Sequence, residues 1–189
     1  VLLDTSCVAC AGTDGPICPV CAAGLRAVGE LPVPGVDRAW ALMAYTGPAR
    51  DLVRGVKFRN RRAAVDSLAR AAAGLVEEPV TVVTWVPADP AHRRERGFDQ
   101  GELLARRVGR ALRRPERRLL ARSPGRAQTG LDRAARLLGP PLRARGRAPD
   151  RVLVVDDVVT TGASLATAAR VLRLAGARRV LAVVIAATA

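Results

Sequence analysis

Short unbroken apolar runs alternate along this chain with stretches in which apolar residues return at helical spacing. Val152-Leu-Val-Val155 is one such run, bounded by charge and too short for a buried helix, so it predicts a strand of a sheet covered on both faces. Arg179–Ala186 predicts a second buried strand, and Asp37–Tyr45 and Pro79–Val86 add two more, the last closed by Pro87-Ala-Asp-Pro90. Leu52, Val53 and Val56 repeat at helical spacing in a helix from about Ala49, and further helices are predicted over 63–76, 103–112 and 165–175. The last of these stops at Gly176, a natural left-handed C-terminal cap. Strand, loop, helix, strand over 152–186 is the unit of an α/β fold with a mostly parallel sheet flanked by helices. At 189 residues the chain is long enough for one such domain and a small appendage.

The chemistry concentrates where the strand at 152–155 hands over to its helix. The strand is expected to end at Asp156 and Asp157, and Thr160-Thr-Gly-Ala-Ser164 leads into the helix. Such a loop lies at the carboxyl end of a parallel strand, where open α/β sheets bind ligands, and the helix N-terminus aims free N–H groups into it. Small residues let the backbone wrap a phosphate, the hydroxyls of Thr160, Thr161 and Ser164 add donors, and Gly162 can take the positive φ that turns successive amides inward. Asp156 and Asp157 do not suit the phosphate itself; they suit vicinal ribose hydroxyls and a nearby magnesium ion. A receiver domain also has a strand ending in two acids, but too little chain follows Asp157 to build one, and a Walker loop would need the Gly-Lys-Ser/Thr that is absent here. The plainer alternative is a buried strand followed by an ordinary capped helix, in which two adjacent acids would lack a ligand or counter-charge.

Lys+Arg of 31 against Asp+Glu of 17 give a net charge of +14, which favours phosphate-rich partners. Lys57 is the only lysine, so the excess is carried by arginine. Aromatics are 3% of residues, which leaves Leu, Val and Ala to fill the core and few platforms for stacking bases. The four cysteines, Cys7-x2-Cys10 and Cys18-x2-Cys21, stand in paired C-x-x-C turns that bring four thiolates to one tetrahedral point and suit a closed, structural zinc site; a disulfide or redox pair is the other reading. No segment has the length of a transmembrane helix, and Val1-Leu-Leu-Asp4 lacks a basic region followed by an apolar one. The expectation is a cytoplasmic protein without membrane insertion.

Leu31-Pro-Val-Pro-Gly35 is read as a linker, with a cysteine-rich zinc ribbon over 1–30 and the α/β domain over 36–189. Residues 92–102 are read as a loop in which Arg93, Arg94 and Arg96 offer cations for a second anion, while lone His92 reads as a surface residue. Between Leu112 and Asp150 the chain is dense in Arg, Pro and Gly, and a mobile hood over the ligand edge is expected, with a short helix near 131–138. No helix-turn-helix signal speaks for a transcription regulator.

An apolar strand, two acids and Thr-Thr-Gly-Ala-Ser resemble the 5-phosphoribosyl-1-pyrophosphate (PRPP) motif of type I phosphoribosyltransferases. Together with the cysteine-rich N-terminus, Tyr45-Thr-Gly-Pro48, Lys57-Phe58 and Arg94-Glu-Arg-Gly-Phe-Asp-Gln100, the chain resembles the ComF family of competence-associated phosphoribosyltransferases. Arg122, Gln128, Leu131 and Arg136 follow that family's middle section in order, whereas Asp99 replaces its usual Asn and Leu138–Leu142 replaces an Asn- and Phe-bearing stretch. The resemblance implies a type I phosphoribosyltransferase fold and PRPP bound with Mg2+. On that reading Asp156 and Asp157 are the catalytic pair at the ribose, Thr160, Thr161, Gly162, Ala163 and Ser164 bind PRPP, and Lys57, Arg93, Arg94 and Arg96 neutralise pyrophosphate. It also implies single-stranded DNA and the competence machinery as partners; a non-catalytic, PRPP-sensing, DNA-binding module is the alternative to the enzyme.

Overall fold

The computed structural model describes residues 6–59, 62–123 and 139–188, with backbone alone for 56–59, 62, 92, 95 and 96. Strand alternation sets its layers. On β6 (Arg151–Val159), Leu153 and Val155 join one apolar cluster while Val152 and Val154 join another. On β7 (Arg179–Ala187), Leu181, Val183 and Ile185 join the first cluster and Val180, Ala182 and Val184 the second. The two strands run parallel, with Val154 opposite Ala182 and Val155 opposite Val183. Both faces are therefore sealed, as the unbroken apolar runs require.

The full sheet adds β1 (Ala27–Leu31), β2 (Arg38–Ala44) and β3 (Val82–Trp85), in the order β1-β2-β7-β6-β3. The pairs β2·β7, β7·β6 and β6·β3 are parallel and β1 alone is antiparallel to its neighbour. One face carries α2 (Gly47–Arg59), α3 (Arg62–Gly74) and α5 (Gln100–Leu112), which contribute Leu52, Val53, Leu68, Leu104 and Val108 to a core that also holds Trp40 and Trp85. The other face carries α6 (Ala163–Leu174) through Leu165, Ala168 and Leu172. Beside it lies a separate two-stranded antiparallel ribbon of β4 (Leu120–Arg122) and β5 (Leu142–Ala144), which buries Leu120 and Leu142 in the same cluster. The expected cap at Gly176 is present: its φ is +110°, its N–H donates to Arg173 O at 3.0 Å, and the N–H of Ala177 donates to Leu172 O at 3.0 Å.

Several expectations are corrected. β6 does not stop at the two acids; it continues to Val159, because β7 offers partners as far as Ala187. The break at Leu31–Gly35 connects two paired strands, so residues 27–31 belong with the sheet, Gly29 opposite Ala41. The segment at 92–102 is helical at its start: α4 (Pro90–Arg96) is capped by Asp89, whose carboxylate accepts the N–H of Ala91 at 2.9 Å, and ends at Gly97. Of the expected hood, the described parts form the β4–β5 ribbon, while the helix expected near 131–138 lies outside the described residues. Among the described residues no helix is long and apolar enough to cross a membrane.

The cysteine segment carries only the short α1 (Pro19–Ala23) and docks on the core through Val8, which is 1% exposed. Val8 lies against α2 at Gly55, where an added Cβ would collide with the Val8 carbonyl oxygen.

Candidate functional site

At the end of β6 the chain turns through Thr160 and Thr161 to Gly162, which sits at φ +75°, ψ −5° as the N-cap of α6. No side chain caps this helix. The N–H of Ala163 reaches Thr161 Oγ at 3.4 Å, that of Ala166 starts the helical pattern on Gly162 O, and those of Ser164 and Leu165 donate to no described group. Left-handed Gly162 lets these amides point outward at the positive end of α6, which is what an anion needs. A side chain there would be strained by the φ, and its Cβ would lie 3.3 Å from Val33.

Asp156 lines the recess of this loop together with Val158, Val159, Thr160, Thr161, Gly162, Ala163 and Ser164. Its Oδ1 accepts the N–H of Asp157 at 2.9 Å. Asp157, one residue on, lines a different small cavity with Val53, Leu68, Gln100, Leu104 and Ile185. Strand alternation thus separates the two acids: Asp156 joins the loop, and Asp157 goes to the α2–α5 side. Gln100 is buried there, with its Oε1 lacking a partner among the described residues.

The β3 end adjoins Asp156 directly. The N–H of Val86 donates to Val155 O at 3.3 Å, so Pro87 emerges beside the acid. Two side chains hold this turn: Arg122 Nε donates to Pro87 O at 2.9 Å, and Asp99 accepts the N–H of Ala88 at 3.0 Å and that of Glu102 at 3.3 Å. Asp99 is therefore both the N-cap of α5 and an anchor for the turn. Burial lowers the pKa of Arg122 from the ordinary arginine value, and the charges of Asp89, Asp156 and Asp99 oppose that shift. Between this turn, α4 and the β4–β5 ribbon opens a cleft of about 490 Å³ whose walls include Arg93, Arg118, Arg122, Arg143 and Arg145.

Of the cations expected at pyrophosphate, Arg93 reaches this cleft; Arg94 is exposed and does not line it. The side chains of Lys57 and Arg96, like that of His92, lie outside the described residues. The sequence reading missed Arg118, Arg143 and Arg145. The signal was available in Leu142-Arg-Ala-Arg145, an apolar/polar alternation that marks a half-buried strand with its arginines on one side.

The four cysteine sulfurs form a second cluster, all within 4.8 Å of one another. Cys10 Sγ and Cys18 Sγ are 3.6 Å apart, close to the ~3.8 Å edge of a tetrahedron with ~2.3 Å metal–sulfur bonds. Backbone N–H groups turn toward the sulfurs, Cys18 N–H to Cys7 Sγ at 3.4 Å and Cys21 N–H to Cys18 Sγ at 3.5 Å. Burial works to raise the Cys7 thiol, but N–H donors from Cys18, Cys10 and Ala9 outweigh it and bring the group down to about 6. Cys21 is pushed up to about 12, first by burial and then by the other three sulfurs. Four soft donors in this arrangement fit zinc, which would stabilise all four as thiolates, and they leave no position for a substrate.

No protein-family model matches the chain, and no curated protein matches it by sequence. Among solved structures it is similar to an allosteric regulatory enzyme of purine biosynthesis, at 22% identity and a TM-score of 0.47 over 66% of this chain and 26% of that one. It is likewise similar to the glutamine PRPP amidotransferase of B. subtilis complexed with ADP and GMP, at 25% identity and a TM-score of 0.47 over 65% of this chain. In both matches the chain spans about a quarter of the length of the other protein, 26%.

Proposed function

We propose that this chain binds PRPP as its magnesium complex at the end of β6 and acts as a phosphoribosyltransferase of the ComF type. The observation that carries the reading is a left-handed glycine N-cap with unpartnered amides at Ser164 and Leu165, in a loop whose recess is also lined by a carboxylate from the C-terminal half of a central parallel strand. The 5-phosphate sits on the amides of Ala163, Ser164 and Leu165 with the hydroxyls of Thr160, Thr161 and Ser164. The ribose hydroxyls lie on Asp156, whose negative charge favours the oxocarbenium-like ring of transfer. The carboxylate of Asp156 is a hard oxygen donor suited to magnesium, which would supply neutralisation of the departing pyrophosphate, while Asp157, its partner on the sequence reading, faces the α2–α5 side. Arg93, at the mouth of the arginine cleft, adds to that neutralisation, and Lys57, Arg94 and Arg96 are retained as its partners on the sequence reading. The cysteine knuckle is a structural zinc site.

Calorimetry with PRPP and Mg2+ tests this assignment. Asp156→Asn is expected to weaken binding at least tenfold, the size of one lost charge-assisted contact of roughly 1.5–3 kcal/mol, with thermal stability retained. Undiminished heat in the variant would place PRPP elsewhere. A second reading, a PRPP-sensing module that holds single-stranded DNA in competence, is favoured by the net charge of +14. Its affinity should fall steeply with salt. Binding of DNA without pyrophosphate release over a panel of bases would select it.

A further inference from the structure

We infer that the groove between β5 and the C-terminal half of α6 is a docking surface, and that its occupant is an acidic amphipathic helix of a partner protein. The groove holds about 550 Å³ and stands apart from the PRPP reading. Leu174 lies roughly 18 Å along the α6 axis from Gly162, the N-cap at the phosphate loop. Strand alternation turns Leu142 and Ala144 away from the side of β5 on which Arg145 lines the arginine cleft, so the groove opens on the other face of the ribbon. Its walls are fixed before anything binds, because the N–H of Ala148, just beyond β5, donates to Ala175 O at the end of α6 at 2.8 Å.

The floor of the groove is apolar. Leu142 and Val171 belong to the core cluster on this side of the sheet, and Ala144 and Ala175 pack against it. Val171, Leu174 and Ala175 recur at i, i+3 and i+4 and so form one stripe at the end of α6. A solvated outer face would continue the charge of Arg170 and Arg173, yet Leu174 is 80% exposed. The other large apolar side chains exposed among the described residues, Val20 and Val28, stand singly in α1 and β1, as scattered surface residues do. Leu174 instead stands at the mouth of a groove whose floor would bury it together with a partner's apolar side chain. The rim supplies the sign of that partner. Arg147 and Arg170 are exposed, and among the described residues neither has an acid partner and no acid lines the groove. Nearby arginines are engaged by contrast, Arg173 with Asp37 at 2.7 Å and Arg178 with Asp150 at 3.8 Å. An apolar floor under a cationic rim is complemented by a helix with apolar anchors at i, i+3 or i+4, and i+7, flanked by carboxylates. β5 is 3 residues long, too short to template an added strand, and no aromatic ring lines the groove for bases to stack on. Both points favour a protein helix over an extended peptide or a single strand of nucleic acid.

The test titrates the full chain into a labelled synthetic helical peptide that carries leucine along one stripe and glutamate on both flanks, read by fluorescence anisotropy. Two control peptides replace the leucines by glutamine or the glutamates by lysine. The acidic amphipathic peptide should bind and both controls should not. Leu174→Glu should weaken it about tenfold or more, through lost apolar burial and a like charge. Arg147→Ser with Arg170→Ser should weaken it about fivefold and flatten its dependence on salt. Because these side chains are exposed, neither variant should move the thermal midpoint appreciably or change PRPP affinity beyond about twofold. No binding by the wild type, binding untouched by Leu174→Glu, or equal binding of the glutamine control overturns the inference. So does a single-stranded oligonucleotide that displaces the peptide and itself loses affinity in the arginine variant, which would make the groove a nucleic-acid track. Concentration-dependent self-association of the wild type that Leu174→Glu abolishes would assign the groove to a second copy of this chain and overturn it as well.

Discussion

The cysteine knuckle and the phosphate loop are both short turns that gather donors around a small space, and they are held by opposite means. In the knuckle the sulfurs are themselves the core: Cys7, Cys18 and Cys21 form the buried cluster, with Ala9 packed against it. Its backbone bonds are local, such as Cys7 N–H to Gly12 O at 2.6 Å and Ala11 N–H to Cys7 O at 2.8 Å. Four thiols this close, one of them pushed up to about 12, need a dication before they can all be charged. The loop is built by its neighbours instead. β7 pairs with β6 as far as Val159, Thr188 donates its N–H to Val159 O at 3.0 Å and its hydroxyl to Thr160 O at 3.3 Å, and α6 follows at once. The difference teaches that the knuckle, on the zinc reading, would depend on its metal to fold, whereas the turn after β6 is built by its neighbours alone.

Removing the metal should have the largest effect. Zinc contributes about 10–16 kcal/mol in small thiolate sites, so chelation, or Cys18→Ser, is expected to open residues 7–24. Hydrogen exchange followed by mass spectrometry should show protection lost there and on the adjoining part of α2, with β6 and β7 unchanged; equal loss in the central strands would erase the contrast. A smaller change tests the docking itself. Gly55→Ala puts a methyl group against the Val8 carbonyl, and overpacking of this kind costs about 1–3 kcal/mol. Once chelation has released the knuckle, the same alanine should stabilise α2 by up to about 1 kcal/mol through helix propensity. Urea denaturation with and without zinc should thus reverse the sign of the substitution, and an unchanged sign would mean that the knuckle does not depend on metal.

The smallest effect concerns a region that needs neither metal nor ligand. Arg179 grips Glu78 through two bonds of 2.9 and 2.7 Å, and that hydrogen-bonded pairing lowers the Glu78 pKa despite the opposing pull of burial. A lowered carboxyl favours the folded state above the ordinary glutamate range, near 4.3, and that contribution fades as pH falls through the folded value. Comparing Glu78→Gln with wild type should give a modest gap in urea midpoint at pH 7 that closes in acid. A gap that widens in acid would contradict the pairing.

What was legible in the sequence follows from how local each cause is. The runs at 152–155 and 179–186, the Gly176 cap and the Thr-Thr-Gly-Ala-Ser turn are encoded by adjacent residues, and the structure has elements there. The extension of β6 to Val159 depends on a partner strand more than twenty residues away, and no local signal marks it. β1 was hidden for the same reason, since Ala27–Leu31 is mostly exposed and is a strand only because β2 lies beside it. α4 was hidden by charge: a run dense in arginine read as loop although Asp89 and Pro90 spelled a helix start. The separation of Asp156 from Asp157 required only the two-residue period of a strand, once the strand is known to continue through them.

The central claim is that the turn after β6 is a preformed phosphate site. It is tested most directly by backbone amide NMR of the zinc-loaded chain titrated with PRPP and Mg2+. The account predicts the largest shifts at Gly162, Ala163, Ser164 and Leu165, smaller ones at Asp156 and Asp157, and none from Cys7 to Cys21. Shifts absent from 162–165, or centred on the knuckle, would contradict it.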